Sequence, residues 1–169
     1  MEWISYIEET YREQDAEGYE ILPIFANPAP IEAIVSAEAR LGNQFPEDLR
    51  SLLRATNGIQ ESMRTDNWQG VMGYLIWPVA LIESRNLFFR SFEGYQEVLK
   101  PFDNLLFFAD AGNGDQFGYS LDDAETRGTE IYTWDHEDDR RICIAPSLRV
   151  FIRGWVLGEI RLGRLGERK

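Results

Sequence analysis

The chain has one cysteine, Cys143, and one histidine, His136, in 169 residues. A single cysteine excludes an internal disulfide framework and fits a reducing compartment. A single histidine, with no second histidine or cysteine beside it, leaves no set of metal ligands and no nucleophile–base pair to build on. No stretch approaches the roughly 20 apolar residues of a membrane span. Met1-Glu2-Trp3-Ile4 opens acidic, without the apolar core of a signal peptide, so the expected location is cytoplasmic. Basic residues are also scarce: 17 Lys and Arg stand against 29 Asp and Glu, a formal charge of -12. Phosphate backbones and anionic lipid repel such a surface, so neither direct nucleic-acid binding nor membrane binding is expected, whereas a basic partner is favoured.

What is present is the makings of one globular domain spanning 1–169. Hydrophobic residues are 44% and charged residues 27% of the chain. Ten Phe, seven Tyr and five Trp promise an aromatic core. The acids are concentrated: eleven lie between Lys100 and Arg140, opposed by Arg127 alone. The segment from Arg149 onward is basic.

Periodicity supplies the elements. Trp3, Ile7 and Tyr11 predict a helix over residues 2–14. Gly18, Pro23, Pro28 and Pro30 predict a non-helical connector. A second helix follows Pro30, with Ile31, Ile34, Val35, Glu38 and Leu41 in register and Gly42 as cap. A third follows Pro46, with Leu49, Leu52 and Leu53 as its stripe and Asn57-Gly58 as its stop. Residues 59–70 read as a polar loop holding Trp68, and 71–77 as a strand ended by Pro78. A fourth helix covers 79–92, with Leu81, Ile82, Phe88, Phe89 and Phe92 as candidate core. Strands are predicted at 105–109, 116–120, 130–134 and 141–144, with Ile131 and Thr133 on one face and Tyr132 and Trp134 on the other. A last helix follows Pro146, carrying Leu148, Phe151, Ile152 and Trp155, with Ile160 after them. Helices, then an antiparallel meander, then a helix make an α+β fold without strict β-α-β alternation.

No standard catalytic motif is present, and no enzyme activity, cofactor or metal is expected. Gly112-Asn113-Gly114 lacks the Lys and helix start of a phosphate loop, and Asp110 and Asp115 would repel phosphate. The spacing of Asp110, Asn113 and Asp115 is not that of a calcium loop. A hairpin turn needing positive φ accounts for the glycines. His136 reads as a solvated turn residue whose acidic neighbours favour its charged form. Cys143 reads as a small buried residue. Trp68 and Trp134 are the aromatics expected to remain partly exposed, although the strand position of Trp134 favours a core role for it.

The stretch from Ile31 to Gly58 resembles the opening of the SUKH superfamily, the Smi/Knr-type cell-wall assembly regulators and bacterial toxin-immunity proteins. Glu38, Leu41, Gly42, Pro46, Leu53, Asn57 and Gly58 fill its pattern. Leu106–Asp115, Trp134-Asp135-His136, Ser147-Leu148 and Phe151 extend the likeness more loosely. The resemblance implies a central, mostly antiparallel sheet with flanking helices, and a non-enzymatic, protein-binding role: an immunity protein that neutralises a cognate, basic, nuclease-type toxin, or a regulatory domain that binds a cellular protein. The candidate partner-binding residues are Trp68, Asp110, Asn113, Asp115, Asp122, Asp123, Trp134, Asp135, Glu137, Asp138 and Asp139. The same charge also serves plain solubility, and the sequence does not choose between the two.

Overall fold

The computed structural model describes residues 3–14, 18–96, 99–121 and 128–162. Helix α1 (Trp3–Arg12) buries Trp3, Ile7 and Tyr11 at their four-residue spacing. Strand β1 (Glu20–Phe25) follows, then α2 (Ile31–Leu41) and α3 (Glu47–Ala55). Next come β2 (Ile59–Arg64), β3 (Gln69–Ile76), α4 (Val79–Ser91) and the single turn α5 (Glu93–Gln96). Strands β4 (Leu105–Asp110), β5 (Gln116–Ser120), β6 (Ile131–Asp135) and β7 (Arg140–Ala145) form the meander before α6 (Leu148–Val156).

The fold is the expected α+β one with antiparallel pairing throughout, its strands divided between two sheets in the orders β1-β2-β3 and β4-β5-β6-β7. They are tied where β4 bulges between Phe107 and Ala109 and the Phe108 carbonyl accepts the Trp77 N–H at 2.9 Å. Beside this bond, buried Asn86 of α4 accepts from the Phe107 N–H at 2.9 Å and donates to its carbonyl at 2.8 Å. A side-chain amide thus closes an edge that would otherwise leave buried backbone groups unpaired.

The four-stranded sheet is covered on both faces. On one, Phe89 of α4 meets Phe107 and Trp134 with ring centroids 5.1 and 5.5 Å apart, and Phe102 fills the same cluster. On the other, Phe117 meets Phe151 and Trp155 of α6 at 4.9 and 4.8 Å. Edge-to-face and tilted geometries of this kind add to the area they bury. The first and last helices, with the residues just after α1, clasp each other: Tyr6 donates to the Arg149 carbonyl, Gln14 to that of Val156, and Arg153 pairs with Glu13 through its two terminal guanidinium nitrogens. The acidic start and basic end of the chain are thereby partly neutralised.

Four expectations are corrected. The supposed connector contains β1; Pro23 is accommodated because β1 is an edge strand, where a missing N–H breaks no inner ladder. Residues 59–64 are not loop but β2, the middle strand of its sheet, whose Glu61 turns inward to accept from Tyr11 at 2.6 Å. Phe88 and Phe92 are not core: both are exposed, stacked on each other at 5.2 Å, because the buried stripe of α4 runs through Val79, Ile82, Asn86 and Phe89. Cys143 is exposed, because edge strand β7 turns it to the face opposite Ile142 and Ile144.

Candidate functional site

Two turns of the meander meet at one end of the four-stranded sheet. The β4–β5 turn takes positive φ at Gly112 (79°) and Gly114 (111°), as the hairpin reading required. Asp110 accepts from the Gly112 N–H, and Asn113 from the Asp115 N–H, so the side chains of Asp110 and Asn113 shape the turn. In the β6–β7 turn, Asp135 accepts from the N–H groups of Glu137 and Asp138 and from Arg140. Asp115 joins the two turns. Its Oδ1 accepts from the His136 backbone N–H at 3.1 Å and from the His136 ring at 2.7 Å. The ring lies flat against Gly114, where a Cβ would sit 2.9 Å from it.

Between these turns and the segment after α6 lies a cleft of about 430 Å³. Thr133, Ile142 and Ile144 line its floor; Asn113, Asp115, Asp135, His136 and Glu137 stand on one side and Arg161 and Leu162 on the other. The floor follows from strand alternation: Thr133 is paired with Ile142 across the β6–β7 ladder, and Ile144 is two residues further along the same face. Thr133 is 4% exposed, and its hydroxyl has no hydrogen-bond partner among the described residues.

The Asp115 hydrogen bond raises the His136 pKa above its usual 6.5, and the charges of Asp115, Glu137 and Asp135 push the same way. Asp135 is held below the ordinary carboxylate range by hydrogen bonds from Glu137, Arg140 and Asp138, which outweigh its desolvation. Asp115, Asp135 and His136 bring donor atoms within 4.8 Å of one another, the arrangement here nearest to a metal-ligand set. Their lone pairs already serve Arg140 and backbone N–H groups, so a metal would have to displace those bonds. The cleft lining has one hydroxyl, Thr133, and no base contacts it.

The structure distributes the sequence-derived candidates unevenly. Trp68 is 54% exposed on the β2–β3 turn, its ring over Gly70. Asn113, Glu137 and Asp138 are exposed, and Asp110 and Asp135 partly so. Trp134, however, is 3% exposed and packed among Phe89, Phe102 and Phe107. It cannot meet a partner's surface, since its ring faces α4 and its indole N–H is given to Asp139 at 2.8 Å. Asp115, 8% exposed, is an internal brace rather than surface charge. Asp139 likewise turns inward, accepting also from the Lys100 N–H. Asp122 and Asp123 lie outside the described residues. Sequence reasoning missed Thr133, Ile142, Ile144, Arg161 and Leu162 as a group. The alternation of the two strands was a signal for the first three; nothing local placed the last two beside them.

The motif region has its own geometry. Glu38, buried at the end of α2, accepts from the Phe45 N–H at 2.9 Å and from Arg50 at 3.1 Å, locking the α2–α3 connection. Gly42 caps α2 in the left-handed conformation. Asn57 accepts from the Val79 N–H at 2.9 Å and so caps α4, a helix that begins 22 residues on. Gly58, at φ 90°, passes so near Pro78 and Ile76 that a Cβ would lie 2.8 Å from the Pro78 nitrogen. A family model described as the SMI1 / KNR4 family (SUKH-1) matches residues 28–154. The chain belongs to this family. The SUKH match takes in both α2–α3 motifs and the meander, and leaves α1 and β1 before it. No curated protein matches the chain. SUKH domains are generally non-enzymatic immunity or regulatory domains that bind a partner protein. Among the described residues no helix is long and apolar enough to cross a membrane.

Proposed function

We propose that this SUKH domain is an immunity protein that docks on a cognate toxin of basic, nuclease type and covers its phosphate-binding surface. The observation that carries the reading is the convergence of the two acidic turns through the Asp115–His136 contact, which presents Glu137 and Asp138 together on an exposed rim. A nuclease must gather positive charge to hold phosphates, and an acidic rim complements it and speeds encounter, to ~10⁸–10⁹ M⁻¹s⁻¹ at low salt in favourable cases. Trp68 supplies a further exposed aromatic on the other sheet. The test is the double reversal Glu137→Lys/Asp138→Lys, which avoids the inward-facing Asp115 and Asp139. Association with the cognate toxin should slow by roughly 10- to 100-fold at low salt, with a flatter salt dependence. Unchanged association and salt dependence would remove the charge mechanism.

A second reading rests on a different surface. Ile24, Val71 and Tyr74 share one face of the β1-β2-β3 sheet and are exposed, as is Met72 at the irregularity beside them. An apolar face of this kind suits a regulatory domain whose cellular partner is recognised without charge.

A further inference from the structure

We infer that the cleft between the two acidic turns and the segment after α6 is a receptor for a lysine or arginine side chain presented by a partner polypeptide. The inference rests on the protein-binding reading above and specifies what part of the partner enters.

Three observations carry it. Apart from Thr133 the floor is apolar, made by Ile142 and Ile144, with Leu162 also lining the cleft; it suits an aliphatic stem. The side formed by the turns carries Asp115, Asp135 and Glu137, which favours a cationic head. The charges facing it are these three carboxylates, His136 paired with Asp115, Arg140 paired with Asp135 and with Asp138, and Arg161 on the opposite wall. The third observation is independent of charge. Thr133 stands in the floor, 96% shielded from solvent by its 4% exposure, with a hydroxyl that no described residue satisfies. Buried hydroxyls are ordinarily hydrogen-bonded. An ammonium or guanidinium whose stem lies along Ile142 and Ile144 brings N–H donors to that oxygen and leaves its charge beside the carboxylates. A volume of about 430 Å³ holds one such side chain with accompanying water. A metal ion fits less well, because coordination would displace the bonds Asp135 makes to Arg140 and to two backbone N–H groups, whereas an ammonium or guanidinium can sit beside them.

The experiment uses the full chain and needs no toxin. The probes are acetyl-Gly-Arg-Gly-amide, its citrulline counterpart, which keeps the shape and loses the charge, and free arginine. Binding is followed by NMR at the Thr133, Ile142, Ile144 and His136 resonances. The arginine peptide should bind at millimolar concentration with shifts confined to those residues. The citrulline peptide should bind at least tenfold more weakly. Thr133→Val keeps the side-chain shape and removes the hydroxyl; it should fold and weaken the arginine peptide by about tenfold. Equal binding of the two peptides, or equal binding by wild type and Thr133→Val, overturns the proposal. So does absence of shifts at these residues. Free arginine binding more than tenfold tighter than the blocked peptide would mark a small-molecule site and overturn the polypeptide source. The toxin reading fails separately: a chain that binds the arginine peptide here but no cognate toxin keeps the receptor and loses the immunity role. A chain that binds a toxin without engaging these residues does the reverse.

Discussion

Replacing Gly114 with alanine tests the geometry that holds the acidic rim together. At φ 111° the residue lies outside the region that side-chain-bearing residues occupy comfortably, and its Cβ would sit 2.9 to 3.0 Å from three atoms of the His136 ring. Backbone strain of this kind costs about 1–3 kcal/mol. At roughly 2–4 °C per kcal/mol for a domain of this size, the melting temperature should fall by about 2–12 °C. The ring must also move away from the Asp115 carboxylate that it meets at 2.7 Å. His136 is the one histidine in the chain, so a single imidazole C–H signal reports its titration. In the wild type that signal should titrate above 6.5, because Asp115 stabilises the charged ring. In Gly114→Ala it should fall back toward that value. Asp115→Asn should lower it as well, without the backbone strain, which separates the two effects. The sign of the linked stability follows. A raised histidine pKa contributes stability that is complete below the unfolded value, near 6.5, and is lost as pH rises through the folded value. Both variants should flatten that loss. A Gly114→Ala protein with an unaltered histidine titration and a melting temperature within ~1 °C of wild type would refute the reasoning.

Two further outcomes follow from buried groups. Burial raises the Glu61 pKa above its usual 4.5, only partly offset by the Tyr11 hydrogen bond, so Glu61 costs more stability as pH rises from acid toward neutral. Glu61→Gln keeps an acceptor for Tyr11 and drops the charge; urea unfolding should show it gaining on the wild type between pH 4 and pH 7, and an equal difference at both would refute this. Gly58→Ala should cost about 3–5 kcal/mol in the same assay, because its Cβ meets backbone atoms of Pro78 and Ile76 that cannot rotate away, and a loss below ~1 kcal/mol would sink the steric account.

Much of the helical half was legible because its periodicity and its burial coincide. Trp3, Ile7 and Tyr11, and Leu49, Leu52 and Leu53, are spaced as helix stripes and are buried as such. Where burial and local pattern part company, the reading failed. Pro23 masks β1, and Gln60, Glu61, Ser62 and Arg64 make β2 look like a loop, although long-range partners such as Tyr11 hold it inside. Phe88 and Phe92 are as apolar as Phe89, and the rotation of α4 against the sheet decided which faced inward. At the candidate site, charge counting located the turns but not which acids face water. Asp115, Asp135 and Asp139 are neighbours in composition with Glu137 and Asp138, yet the first three turn their oxygens inward to N–H groups of the fold, while Glu137 stays exposed and Asp138, also exposed, pairs with Arg140. The cleft itself joins two strands to a segment beyond α6, a juxtaposition no local window contains.

The clasp between α1 and α6 bears on how this chain assembles. Within each sheet every strand pairs with the next strand of the chain, and all of these pairings except β1–β2, which encloses α2 and α3, close a short loop at small entropic cost. The clasp instead joins Tyr6 to Arg149, 143 residues apart. Its closure is affordable only once the hairpins between have shortened the effective loop, which places it late in folding. The same order run backward makes it an early contact to open. The two halves of the molecule can therefore exchange hydrogens at different rates, with the N- and C-terminal helices losing protection together while both sheets remain paired.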